Sequence, residues 1–268
     1  MSIVQKKSIT FVTALIQLYE IEPNEYKGDV MWRIDKFREL ADTGNAFIIY
    51  TCSKTRPLLE SLVTSYPETI QLIQLDECFS TILYNTECSH ISLPKQRHPT
   101  KDTFQNICLI NRKIEYTHDA MQRNPYSSTH FAWIDFSISY IFKDSKQTCQ
   151  YLTYMNNSTT DLSKGFHIPG CCPKLSKFEP NIIKHPIRRF CGGFFLSDME
   201  SLETCFQLHK LHFHKFIQDY NTLVWEVNFW AYLECNFEWK PLWYYANHDD
   251  SILANFVDIL KATKLGLM

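Results

Sequence analysis

Alternation of short apolar runs with helix-period segments over the first 75 residues constrains the fold more than any other feature of the chain. Ser8 to Leu15 (containing ITFVTAL), Ala46 to Thr51 (AFIIYT) and Thr69 to Leu75 (TIQLIQL) are rich in β-branched and aromatic residues, as strands buried on both faces require. Between the first two runs Asp29 is a helix N-cap candidate, and Val30, Ile34, Phe37 and Ala41 recur on one helical face before Gly44. Between the second and third, Pro57 suits the first turn of a helix reaching Tyr66. This β-α-β-α-β order predicts an α/β fold: one domain over residues 1–268, with a mainly parallel central sheet flanked by helices. Ligands of such sheets bind outside the carboxyl ends of the strands.

The remainder of the chain continues the pattern less regularly. Residues 76–102 are polar and carry Pro94 and Pro99. From Thr103, a stripe of Ile107, Ile110, Ile114, Thr117 and Met121 predicts one helix, closed by Asn124-Pro125. His130 to Ile138 (HFAWIDFSI) reads as an apolar strand holding a single carboxylate. Residues 143–185, rich in Lys, Asn, Ser, Thr and Pro, read as an irregular, mobile substrate loop. Phe190 to Leu196 is strand-like around a double glycine, and Ser197 with Glu200 forms a capping box for a helix carrying Leu202, Phe206, Phe213 and Phe216. A further helix over about Thr222 to Leu233 and a strand from Leu242 to Ala246 lead into Asn247-His248-Asp249-Asp250.

Composition removes several function classes. With 27 Lys plus Arg against 29 Asp plus Glu, the net charge of −2 offers no basic face for nucleic acid. Seven glycines cannot be assembled into a dinucleotide fingerprint or a phosphate loop. Lys6-Lys7 and the apolar run that follows imitate a secretory signal, but Thr10, Thr13 and Gln17 interrupt it, and a first strand explains it better. No stretch reaches the ~18 apolar residues of a transmembrane span. The ten cysteines include no CxxC pair, which fits a soluble, reducing, cytoplasmic setting. Adjacent Cys171 and Cys172 stand out, since vicinal thiols bind metal or oxidise.

Few residues offer chemistry. Asp135, in an apolar strand, needs a cation, a metal or strong donors if buried; otherwise it caps the next turn. His248, at a late strand end, is either a surface histidine or a ligand. Together they would suit Mn²⁺ or Mg²⁺ bridging a diphosphate, with positions left for water and phosphate oxygens. Gly192-Gly193 either form a bulge or let a ligand approach the backbone. Of Arg188 and Arg189, one can fork onto phosphate or carboxylate while the other is solvated. Glu226, inside VWEVNFW, is a base or hydroxyl-orienting group, or is paired with a cation. Lys113 neutralises a phosphate or is simply exposed. His209, His212 and His214 cannot converge on one zinc ion from a single helix.

Several segments, in order, resemble the bacterial HtrL/YibB-like family, which is similar to GT-A-type glycosyltransferases: FVTAL, FIIYT, NRKIEYTHDAMQRNP, HFAWIDFSI, RRFCGGFFLSD, VWEVNFW and YYANHDDSI. The resemblance runs from about residue 8 to 252. It implies a GT-A-like, single Rossmann-like domain with a nucleotide-sugar site. Thr13 and Ala14 would meet the nucleotide, Asp135 would take the place of the metal-binding carboxylate of a DxD motif, and His248 that of the late metal-binding histidine. Gly192 and Gly193 would line sugar and acceptor, with Glu226 near the reacting centre. Trp133 stands where the first Asp of DxD would be, giving W-I-D. The expected function is metal-assisted transfer of a sugar from a UDP-linked donor to a hydroxyl of a glycan or protein acceptor. The alternative is a glycosyltransferase-like module that binds a glycan or protein partner without turnover.

Overall fold

The computed structural model describes residues 8–16, 30–75, 91–158 and 164–265. The expected cap at Asp29 and residues 76–90 and 159–163 lie outside these. One seven-stranded sheet organises the chain in the order β3-β2-β1-β4-β6-β5-β7. Its strands are β1 (Ile9–Leu15), β2 (Ala46–Thr51), β3 (Ile70–Gln74), β4 (His130–Ile134), β5 (Phe166–Gly170), β6 (Phe194–Asp198) and β7 (Leu242–Tyr245). Every pairing is parallel except the two made by β6, so the α/β expectation holds with one reversed strand.

Period-two side chains send apolar groups to both faces, and helices cover each. Ile9 and Phe11 of β1, Phe47 and Ile49 of β2, Ala132 and Ile134 of β4, and Phe194 of β6 join one core. There they meet α1 (Val30–Ala41), α2 (Arg56–Ser65), α5 (Ser145–Asn157) and α8 (Ser251–Lys264). Val12, Ile48, Phe131, Trp133 and Phe195 face the other core, formed with α3 (Phe104–Ile110), α4 (Lys113–Arg123), α6 (Met199–Tyr220) and α7 (Glu226–Asn236). Among the described residues no helix is long and apolar enough to cross a membrane.

Several expected boundaries move, each for a physical reason. The stripe from Thr103 to Met121 is broken into α3 and α4, because Asn111 turns its amide onto the carbonyls of Ile107 and Val224. Strand β4 ends at Ile134: Asp135 donates its backbone N–H to Gly193 O at 2.9 Å, and a 3₁₀ turn at Ile138–Ile141 follows. Gly192 and Gly193 precede β6 rather than lie within it. The cap of α6 is Asp198, which accepts from the N–H groups of Glu200 and Ser201, rather than Ser197. Helix α7 opens at Glu226, four residues later than expected.

The largest correction concerns residues 143–185. They contain α5, which buries Thr148, Cys149, Leu152 and Met155, and β5, whose residues are all buried. Polar residues on the outer face of α5 dilute its stripe, and the Pro and Gly of FHIPG disguise a strand as a turn.

Candidate functional site

Strand direction gathers the site. The carboxyl ends of β1, β4, β5 and β7 and the amino end of reversed β6 fall on one edge of the sheet, which carries Ala14, Asp135, Gly193 and His248. These residues line a cleft of about 380 Å³ together with Lys113, Trp133 and Glu226.

Lys113, expected on the fringe of its helix, is buried at the cleft floor. Its ammonium lies 2.8 Å from Glu226 Oε1, 2.8 Å from the Gly192 carbonyl and 3.0 Å from Asp135 Oδ1. Three donors meet three acceptors, so the group is saturated. Burial acts to strip its proton, but the carboxylates of Asp135 and Glu226 outweigh this and hold the amine above the ordinary lysine value. Glu226, at the first position of α7, is shifted upward: burial dominates, Asp135 adds like-charge repulsion, and Lys113 opposes both. Its carboxyl is therefore suited to holding or moving a proton.

Asp135 is half-open to the cleft, with 44% of its side chain exposed. Trp133 Nε1 donates to Oδ1 at 2.7 Å, on the same oxygen that Lys113 approaches. No described residue donates to Oδ2, which stands beside Gly193. The W-I-D sequence thus aims one carboxylate oxygen into the cleft, with tryptophan as the fixing group. His248 lines the cleft and is held below the ordinary imidazole range, by partial desolvation against the cleft first and then by the charges of Lys101, Lys113 and Arg188; Asp135 acts in the opposite sense. A neutral imidazole keeps a ring nitrogen available to a metal.

Asp135 and His248 are the residues that could hold a divalent ion here. A carboxylate oxygen and an imidazole lining one cleft are ligands of suitable chemistry, and Trp133 and Lys113 hold the carboxylate as outer-shell partners do. Among the described residues, no three His, Cys, Asp or Glu side chains gather closely enough to hold a metal, so the remaining positions would fall to water and ligand oxygens. The helical histidines do not contribute: His209 is buried against Phe213 and His212 stacks on Phe237.

Other expected site residues lie elsewhere. Thr13 is fully buried and does not line the cleft. Arg188 is exposed and acts on His248 only through its charge. Arg189 is spent structurally, forking onto Glu234 at 2.8 and 2.6 Å and donating to Cys172 O at 2.8 Å. Gly192 contributes its carbonyl to Lys113 rather than a wall. Sequence reasoning missed Arg33, Lys101, Asp102, Asn106 and Tyr140, polar or aromatic residues that also line the cleft. Only the cap at Thr103, which accepts from Asn106 N, was a signal that this segment is structured.

The chain is thus a doubly covered α/β domain with a cleft of mixed charge and aromatic walls at the carboxyl edge of its sheet. No protein-family model and no curated protein sequence matches it, so the HtrL/YibB resemblance gains no support from these comparisons. Among solved structures, the apo form of mouse xyloside xylosyltransferase 1 is similar, with 9% identity over 89% of this chain and 85% of that one (TM-score 0.46). The 4-diphosphocytidyl-2C-methyl-D-erythritol synthase of Anaerococcus prevotii shows 9% identity over 97% and 96% (TM-score 0.44). A glycosyltransferase involved in glycosylation of the major capsid of PBCV-1 shows 14% over 76% and 66% (TM-score 0.35). These likenesses are too distant to say what this chain binds.

Proposed function

We propose that the chain is a GT-A-like glycosyltransferase that binds a nucleoside-diphosphate sugar, UDP-linked, in this cleft and transfers the sugar to a hydroxyl of a glycan or protein. The observation that carries the reading is the division of labour in the cleft: a half-exposed carboxylate at Asp135, in a cleft that His248 also lines, and a buried, upshifted carboxyl at Glu226.

Asp135 and His248 would hold Mn²⁺ or Mg²⁺, whose charge would offset that of the departing diphosphate. Asp135 keeps its orientation through Trp133 and Lys113. Glu226 orients the acceptor hydroxyl and receives its proton, with Lys113 beside it to stabilise the ionised carboxylate. Aromatic walls from Trp133, Phe136, Tyr140 and Trp225 suit sugar and base faces.

The test is sugar transfer or donor hydrolysis across a panel of nucleoside-diphosphate sugars with Mn²⁺. Turnover in the wild type that is lost in Asp135→Asn and Glu226→Gln, with both variants folded, supports the reading. Glycan binding without turnover would move the chain to the binding-module alternative.

A further inference from the structure

The vicinal thiols that stand out in the sequence are not the pair the fold brings together. Cys171 Sγ lies 3.7 Å from Cys191 Sγ, twenty residues further along the chain. The end of β5 and the segment entering β6 run side by side here: Cys171 N donates to Arg188 O at 3.0 Å and Cys191 N to Pro169 O at 2.7 Å. Cys171 is partly exposed, Cys191 is buried and Cys172 is exposed. Of the two, Cys171 is the less buried residue and the one a small oxidant reaches first, with the Cys191 sulfur in contact with it.

We propose that Cys171 and Cys191 form an oxidative modification site that peroxide converts to a disulfide. Cys171 sulfur attacks hydrogen peroxide, the O–O bond breaks, and a sulfenic acid and one water result. Cys191 sulfur then attacks the Cys171 sulfur, the S–O bond breaks, and the leaving hydroxide takes the Cys191 proton as a second water. Two thiols lose two electrons, and peroxide accepts them.

Bond formation draws the sulfurs from 3.7 Å to about 2 Å. Cys191 Sγ also contacts Ala246 O at 3.7 Å, two residues before His248, and Cys191 directly precedes Gly192, whose carbonyl accepts from Lys113. Closing the bond acts on both strand ends that wall the cleft, so oxidation weakens ligand binding there. That consequence rests on the proposed reading of the cleft; the modification itself does not.

The test treats the full chain with hydrogen peroxide or with dithiothreitol, then maps linked peptides and alkylates the remaining thiols. The expected result is a Cys171–Cys191 link, reversed by dithiothreitol, absent in Cys171→Ser and retained in Cys172→Ser. In the wild type alone, Cys191 that stays alkylatable after peroxide has consumed Cys171 would overturn the site, as would a link to Cys172. Loss of a metal-dependent nucleotide melting shift on oxidation, regained on reduction, supports the consequence. An unchanged shift in the linked protein would overturn the consequence and leave the site standing, whereas no shift in the reduced protein would count against the cleft reading alone.

Discussion

Lys113 Nζ and Glu226 Oε1 meet at 2.8 Å in the cleft floor, with 5% and 7% of their side chains exposed. The contact joins residues 113 positions apart and fixes the start of α7 against the start of α4. Because the ammonium also holds Asp135 and the Gly192 carbonyl, one cation sets the positions of the two groups assigned to the chemistry.

Lys113→Met should cost about 3–5 kcal/mol, since it leaves a buried carboxyl without its cation. Adding Glu226→Gln should cost less than the sum of the single changes. Urea denaturation of the four proteins in this cycle measures the coupling, and additive costs would show that the contact contributes nothing.

Trp133→Phe keeps a ring against Tyr116 but removes the donor on Asp135 Oδ1. Metal–nucleotide affinity should fall about tenfold, as it does when an outer-shell partner of a metal ligand is lost. Titration calorimetry with Mn²⁺ and nucleotide checks this; unchanged affinity would mean that Asp135 holds its position without the indole.

A Cβ at Gly192 would overlap Glu226 Oε1 and crowd Val227 Cγ1 at 3.3 Å, whereas one at Gly193 meets Ile138 Cδ1 at 3.2 Å and Asp135 Oδ2 at 3.6 Å. Gly192→Ala should therefore displace Glu226 and reduce transfer by about 10²-fold, with Gly193→Ala milder. Steady-state kinetics of both variants rank the two effects.

Burial lowers the His209 pKa from 6.5 to about 3, so the unfolded chain takes up a proton first as the solution is acidified. The contribution of His209 to stability is complete above pH 6.5 and should fall by about 1.4 kcal/mol per pH unit towards pH 3. His209→Phe should flatten that slope in chemical denaturation run across the window. An equal slope in the variant would assign acid lability to other groups.

The sheet was legible because β1 and β2 are buried and their apolar runs are continuous, while β3, at the sheet edge, keeps Ile70, Leu72 and Ile73 among its exposed glutamines. Strand β5 was not, because FHIPG carries turn-forming residues and is stabilised by neighbours distant in sequence. Helix α8 was not among the expected elements, although Ile252, Leu253, Phe256, Val257 and Leu260 carry its buried face. In the cleft, Asp135, Glu226, Gly193 and His248 were visible as polar or glycine residues among apolar neighbours. The fates of Lys113 and Arg189 were not visible, because their acceptors arrive from other elements of the fold.

The most direct test of the nucleotide-sugar reading is a thermal-shift screen of nucleoside diphosphates and their sugars, with and without Mn²⁺. A uridine nucleotide at 100 times its dissociation constant should add about 2.7 kcal/mol of apparent stability, only with the metal and only while Asp135 is present. No shift with any nucleotide, or an equal shift in Asp135→Asn, would contradict it.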